Sequence, residues 1–195
     1  MTEDTKSDLP ILELASQTAW EQWLDAHHAE SRGVWLKFAK KGAKRLTVSY
    51  AEAVEGALCY GWIDGQAAPL DEQFWLQRFT PRRRRSKWSQ INRDKATALA
   101  DQGRLRTAGA LQVEEAQRDG RWDAAYASPA RSVVPDDLQR ALDENPAAQA
   151  FFDTLNSTNR YAILFRLHDA RKPETRARRL DQFITMLKEK RKLYP

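Results

Sequence analysis

Apolar residues in the first two thirds of the chain recur at helical spacing in some segments and at strand spacing in others. From Trp20 onward they repeat at i, i+3, i+4 and i+7, whereas residues 34–39 alternate as a strand does. Ser/Thr-x-x-Glu capping boxes at Thr18 and Ser49 mark two helix starts. The pattern predicts these elements in chain order: a helix over residues 18–31, a strand over 34–39, a helix over 50–58, a short strand or tight turn over 59–66, a strand over 74–80, and helices that end at Gln102 and Asp119.

The last third of the chain has helical spacing only. With proline at the first turn of three segments, the pattern predicts helices over residues 135–142, 146–155, 158–170 and 173–190. We therefore expect an α+β fold: a small, mostly antiparallel sheet packed with helices, followed by an all-helical C-terminal domain. The expected divisions are a mobile lead-in over residues 1–16, an α+β domain over 17–126, a linker over 127–134 and a C-terminal helical domain over 135–195.

The composition fits a folded protein whose fold is stabilised by side-chain packing alone. The chain has 195 residues, 42% of them apolar, and seven are tryptophan, which supplies a real core. One cysteine excludes an internal disulfide, and one cysteine with three histidines offers no zinc-type spacing, so we expect no metal and no cofactor. Apolar runs are short and the N-terminus is acidic, unlike a signal peptide, so we expect a soluble cytoplasmic protein without membrane insertion.

The net charge of +5 is unevenly distributed along the chain. Acids dominate residues 1–30, and lysine and arginine dominate residues 160–195. Such an imbalance fits an anionic partner, with nucleic acid as one candidate.

The densest charge lies in residues 79–92, where five cations stand beside two aromatic residues. Pro81 fixes an extended backbone before the arginine run, and the following helix points its N–H groups back toward it, which favours phosphate or carboxylate. The alternative is a solvated charge run that pairs with the acidic N-terminal helix. The candidate anion-binding residues are Arg78, Arg82, Arg83, Arg85, Ser86, Lys87, Asn92 and, in the last helix, Arg176, for which a salt bridge between domains is the alternative.

Three tryptophans near the basic segment are candidates for stacking on a ligand or for a pocket wall. They are Trp62, Trp75 and Trp88. Aromatic residues at strand spacing also form cores, and that alternative stays open. The predicted site is a groove between Trp62, Asp64 and residues 82–88.

Residues 59–65 contain a thiol, a phenol, an indole and a carboxylate within a short segment. Cys59 is a weak candidate nucleophile, because no histidine is near it in sequence, and a small buried residue is the alternative. Asp64 is a weak candidate for acid-base catalysis. Its alternatives are a turn carboxylate and the partner of an arginine from the basic segment.

Several motifs together resemble the bacterial YdeI/OmpD-associated family, also described as bacteriocin-protection proteins. The motifs are ALCYGWIDG over residues 57–65, FTPR over 79–82, SKWSQIN over 86–92, GRW over 120–122 and PETRARR over 173–179. The resemblance spans nearly the whole chain. It implies a role in envelope stress, tolerance of antimicrobial peptides or bacteriocins, and a protein partner in an outer-membrane porin. It implies no catalytic residues.

Taken together, the residues and the resemblance favour a non-enzymatic cytoplasmic binding protein with an arginine- and tryptophan-rich anion site. One alternative is an enzyme that acts on a small anionic substrate through Cys59 or Asp64. Another is a protein-interaction module that offers its basic surface to an acidic partner.

Overall fold

The structure is a computed structural model that describes residues 9–195. The chain divides into two compact units, Met1–Ala125 (unit 1) and Tyr126–Pro195 (unit 2). The first eight residues of the predicted lead-in lie outside the described residues. None of the helices within residues 9–195 combines the length and the apolarity that crossing a membrane requires.

Within residues 9–195, unit 1 contains a four-stranded sheet and four helices, and unit 2 is helical, so the predicted α+β class is confirmed. The strand order is β1-β2-β4-β3; β1 runs parallel to β2, and the other pairs are antiparallel. The elements of unit 1 are β1 (Ile11–Leu12), α1 (Gln17–His27), β2 (Val34–Ala39), α2 (Tyr50–Cys59), β3 (Trp62–Pro69), β4 (Phe74–Pro81), α3 (Gln90–Asp101) and α4 (Thr107–Arg118).

One face of the sheet packs on helices through an aromatic core. Phe79 of β4 is fully buried, and its ring lies 5.7 Å from Trp20 of α1, which in turn packs edge-on against Trp62 of β3 at 6.2 Å. Because neighbouring residues of a strand point to opposite faces, Arg78 and Thr80 lie on the other face of β4. The core therefore fixes which β4 side chains remain available away from α1.

Differences from the sequence prediction at α1, β3 and β1 have physical reasons. The cap of α1 is Ser16, whose hydroxyl accepts a hydrogen bond from the N–H of Ala19, so the capping box predicted at Thr18 was wrong. β3 is a full strand of eight residues, because Gly61, at φ +73°, ends α2 and turns the chain into the sheet. β1 lies inside the predicted lead-in, where two residues are too few to show a period.

Unit 2 packs four helices around one apolar core. A short 3-10 helix over Pro129–Arg131 precedes them. The helices are α5 (Asp136–Asp143), α6 (Pro146–Asp153), α7 (Ser157–His168) and α8 (Pro173–Lys188). The fully buried side chains of this core include Leu138, Leu142, Phe152, Ile163, Leu167 and Leu187.

Candidate functional site

An open cavity of about 450 Å³ lies in unit 1 where the end of β4 meets the start of β2 and β3. Antiparallel pairing sets this meeting point, since Val34 at the start of β2 lies opposite Phe79, and Ile63 of β3 lies opposite Thr80. The cavity is lined by Leu9, Arg32, Ile63, Asp64, Gly65, Arg78, Thr80, Pro81, Arg83 and Ser86.

Three guanidinium groups from three different elements line this cavity. Arg32 precedes β2, Arg78 stands in β4, and Arg83 follows β4. Within residues 9–195, none of the three forms an ion pair with a carboxylate. Asp64 is the acid among the lining residues, and one of its oxygens accepts a hydrogen bond from the Tyr50 hydroxyl at 2.7 Å. The lining residues thus carry a positive charge excess.

Arg78 is the most constrained of the three. Its Nε atom is buried and donates no hydrogen bond to any atom in the described part of the chain. Gly65 on β3 leaves room for it, because a Cβ built on that glycine would lie only 3.2 Å from Nε. A buried guanidinium N–H without an acceptor is costly, since buried donors are normally hydrogen-bonded.

Arg32 is held near β4 by the glycine that follows it. A Cβ on Gly33 would meet the Phe79 carbonyl oxygen and the Thr80 methyl at 2.8 Å, so the backbone passes directly against the end of β4. Sequence analysis missed both Arg32 and Thr80. The pairing register of β2 with β4 places Arg32 and Thr80 beside Arg83. The spacing of residues along the chain does not reveal that register.

The loop that carries Arg83 is tightly folded. The N–H of Arg83 donates to the hydroxyl of Ser86 at 2.9 Å, and the N–H of Ser86 donates to the carbonyl of Arg83 at 2.8 Å. Because the Ser86 oxygen accepts this bond, its own O–H is oriented away and can donate elsewhere. Arg83 and Ser86 therefore present two donors from one hydrogen-bonded turn.

Two buried arginines fix the same loop from outside the cavity. The guanidinium of Arg82 lies 3.6 Å from the centre of the Trp88 ring and donates to the carbonyl of Lys87. Arg121 donates to the carbonyl of Ser86 at 3.0 Å and pairs with Asp119. Both arginines are buried, with 7% of each exposed. The side chain of Arg82 covers Trp88 and does not line the cavity, so anion binding by Arg82 stays a prediction.

The remaining predicted anion ligands of unit 1 divide between the cavity and the surface. Arg78, Arg83 and Ser86 line the cavity together, as the prediction grouped them. Arg85 and Lys87 are exposed and lie outside the lining residues. Asn92 also lies outside the lining, in the first turn of α3, where its N–H donates to the Ser89 cap.

The predicted stacking tryptophans are core residues in two cases. Trp62 is 1% exposed and Trp88 is 2% exposed, which leaves no ring face on which a base could stack, so that prediction is corrected. Trp75 is half-buried and stacks on Phe38 at 4.9 Å. None of the three lines the cavity, whereas Asp64, Arg83 and Ser86 of the predicted groove do.

Arg176 lies in unit 2 and is satisfied by the protein itself. Its Nε and Nη2 atoms donate to the two oxygens of Asp137 at 2.6 and 2.8 Å, and Nη1 donates to the carbonyl of Leu167 at 2.8 Å. The hydrogen bonds from Arg176 hold the pKa of the Asp137 carboxyl below its usual value. This prediction is corrected, because all partners of the fork lie inside unit 2 and the salt bridge joins α5 to α8.

The candidate nucleophile Cys59 is buried at the end of α2, with 2% of its surface exposed. Burial raises the pKa of its thiol to about 11. A thiol in this setting stays protonated near neutral pH and is a poor nucleophile. The catalytic hypothesis for Cys59 is therefore corrected to a packing role.

Comparison with known proteins gives two family matches. A model described as "Bacteriocin-protection, YdeI or OmpD-Associated" matches residues 131–190, which contain the 173–179 motif. This part of the chain is therefore similar to that family. A second model, described as a domain of unknown function (DUF8412), matches residues 12–112, which include the cavity-lining residues except Leu9. The motifs over 57–65 and 79–92 fall in this second match. No curated protein and no solved structure matches the chain.

Proposed function

We propose that unit 1 binds a small anion that carries a phosphate or carboxylate group, without catalysing a reaction. The observation that carries this proposal is the convergence of Arg32, Arg78 and Arg83 on one cavity, whose lining within residues 9–195 contains a single acid. Guanidinium groups donate paired N–H bonds that match the oxygens of phosphate and carboxylate. The buried Nε of Arg78 gains an acceptor when such a group binds.

A small ligand fits better than a polynucleotide. The cavity volume of about 450 Å³ lies within the range of small-molecule pockets, roughly 300–1,000 Å³. Non-specific binding of single strands uses exposed aromatic faces, and Trp62 and Trp88 are buried. The exposed Arg84 and Arg85 lie outside the cavity. They carry the same charge as Arg83 and therefore serve as its controls.

Calorimetric titration of the full chain with inorganic phosphate, citrate and a 12-nucleotide DNA strand tests this function. We expect Arg83→Gln to weaken binding of phosphate or citrate by about tenfold, since a charge-assisted hydrogen bond contributes roughly 1.5–3 kcal/mol. Arg84→Gln changes the same charge in the same loop and should have an effect within about twofold. Equal losses in both variants, or no saturable binding of either small anion, would contradict the proposal.

The DNA strand separates the proposal from nucleic-acid binding. A polynucleotide should lose affinity in both variants alike and weaken steeply with added salt, because binding releases counterions. Tight DNA binding that is lost in Arg84→Gln as much as in Arg83→Gln would show that the ligand is a polyanion and would contradict a small-anion site.

The family match over residues 131–190 supports a cellular role in protection from bacteriocins. We propose that this role is indirect and exerted in the cytoplasm, with the anion bound by unit 1 as its signal. A deletion strain complemented with wild type or with Arg83→Gln tests the link. Bacteriocin tolerance should return with the wild-type chain and not with the variant. Equal rescue by both would show that the cavity of unit 1 is not needed for bacteriocin tolerance.

A further inference from the structure

A second cavity, of about 480 Å³, lies within unit 2 along one face of α7. Its lining residues on α7 follow helical spacing and therefore share one side of the helix. Pro129 of the 3-10 helix and Tyr194 near the C-terminus complete the wall. The α7 residues are Ser157, Thr158, Tyr161, Ala162, Phe165 and Arg166.

Three aromatic rings line this cavity. The rings of Tyr161 and Phe165 lie 5.9 Å apart, one turn from each other on α7. The Tyr161 hydroxyl donates to the carbonyl of Ala127 at 2.9 Å, so its polar end is already satisfied. The ring of Tyr194 adds a third aromatic group to the lining. Planar apolar ligands gain most from such surroundings, because flat rings stack or pack edge-on.

The backbone at Tyr194 is held by a buried side chain. Asn159, 1% exposed, accepts hydrogen bonds from the N–H groups of Leu193 and Tyr194 at 3.0 and 2.9 Å. Its amide nitrogen donates to the carbonyl of Tyr194 at 3.2 Å. These bonds attach the C-terminal segment to α7. A wall held in place before binding lowers the entropy cost of ligand association.

One cation stands at the edge of the aromatic lining. The Arg166 guanidinium lies 5.7 Å from the centre of the Tyr194 ring and forms no ion pair with a carboxylate within residues 9–195. Within residues 9–195, no acidic residue lines the cavity. We propose that this cavity binds a free planar aromatic carboxylate, with its rings among Tyr161, Phe165 and Tyr194 and its carboxylate on Arg166. The site is separate from the anion cavity of unit 1.

Calorimetric titration of the full chain with 2-naphthoate and with the neutral 2-naphthamide tests the proposal. The wild-type chain should bind 2-naphthoate saturably and the amide about tenfold more weakly, since the amide lacks the charge that pairs with Arg166. Arg166→Gln should weaken 2-naphthoate by about tenfold and leave the amide within about twofold. Ala162→Trp should abolish binding of both compounds, because the indole fills the cavity.

Two control variants make the outcome specific. Arg178→Gln removes an exposed charge from α8 outside both cavities, and Arg83→Gln alters the unit 1 site. Both should bind 2-naphthoate within about twofold of wild type. No saturable binding by the wild-type chain, equal affinity for acid and amide, unchanged binding by Ala162→Trp, or a tenfold loss in either control would overturn the proposal. The acid-to-amide comparison needs no variant and stands even if a substitution impairs folding.

Discussion

Replacing Arg176 by methionine keeps an unbranched apolar chain in place of the arginine methylene groups. It removes the guanidinium group that donates hydrogen bonds to Asp137. Loss of one partner from a fully buried ion pair costs roughly 3–5 kcal/mol, whereas an exposed pair contributes roughly 0–1 kcal/mol. The two side chains are 31% and 29% exposed, between these limits. We therefore expect Arg176→Met to lower the free energy of unfolding by about 2 kcal/mol.

Urea unfolding followed by circular dichroism at 222 nm measures this loss. With a urea dependence of roughly 1–3 kcal/mol/M, the midpoint should fall by about 1 M. Arg178→Met, an exposed arginine of the same helix, serves as the control and should shift the midpoint little. In a double-mutant cycle with Asp137→Asn, the coupling energy should reach at least about 1 kcal/mol. A coupling energy below about 0.3 kcal/mol would refute the reasoning.

The same pair predicts how stability depends on pH. Hydrogen bonds from Arg176 lower the pKa of Asp137 in the folded chain below the ordinary value of 3.8. A depressed carboxyl pKa contributes stability that is complete above the unfolded pKa and is lost as the pH falls through the folded pKa. The stability advantage of wild type over Asp137→Asn should therefore be constant above about pH 4.5 and shrink in more acidic solution.

Three further outcomes follow from close packing and burial. Gly109→Ala should destabilise the chain by about 1–3 kcal/mol in urea, because the new Cβ would lie 2.4 Å from the Cys59 carbonyl; wild-type stability would contradict this. Native Cys59 should react with a disulfide reagent at pH 8 only when the chain opens, so a rate near that of the unfolded chain would be incompatible with its burial. Gly33→Ala should reduce phosphate affinity by displacing Arg32, and calorimetry showing wild-type affinity would exclude that positioning.

Much of the fold follows from local patterns in the sequence. Local patterns located eleven of the twelve strands and α-helices found within residues 9–195, with β3 left as a strand or a turn. The Ser49 capping box is present in full, with Glu52 bonded back to the cap. The Thr18 box failed because Ser16 lies two residues earlier and offers an equally good hydroxyl. Local sequence patterns therefore identify helices and strands well, but they do not distinguish between two neighbouring residues that could each cap a helix. β1 was missed because its pairing with β2 is a long-range contact.

The site was harder to predict than the fold, for the same physical reason. Sequence placed five cations in residues 79–92 but could not tell which would face a common cavity. Arg82 looked equivalent to Arg83, yet Trp88 provides a ring on which its guanidinium packs. From the sequence, Arg176 was a candidate for binding an anion. In the structure Asp137, 39 residues away, supplies both acceptor oxygens for its guanidinium group. Which charges remain for a ligand is decided by tertiary partners.

The most direct test of the anion site is the Arg78 Nε–H signal in a nitrogen–proton correlation spectrum during phosphate titration. Because this N–H is buried and has no acceptor within the described chain, binding at the cavity should shift its resonance saturably, together with that of Arg83. The signals of Arg84 and Arg85 should move weakly and linearly. A stationary Arg78 signal, with shifts confined to the exposed arginines, would contradict the account.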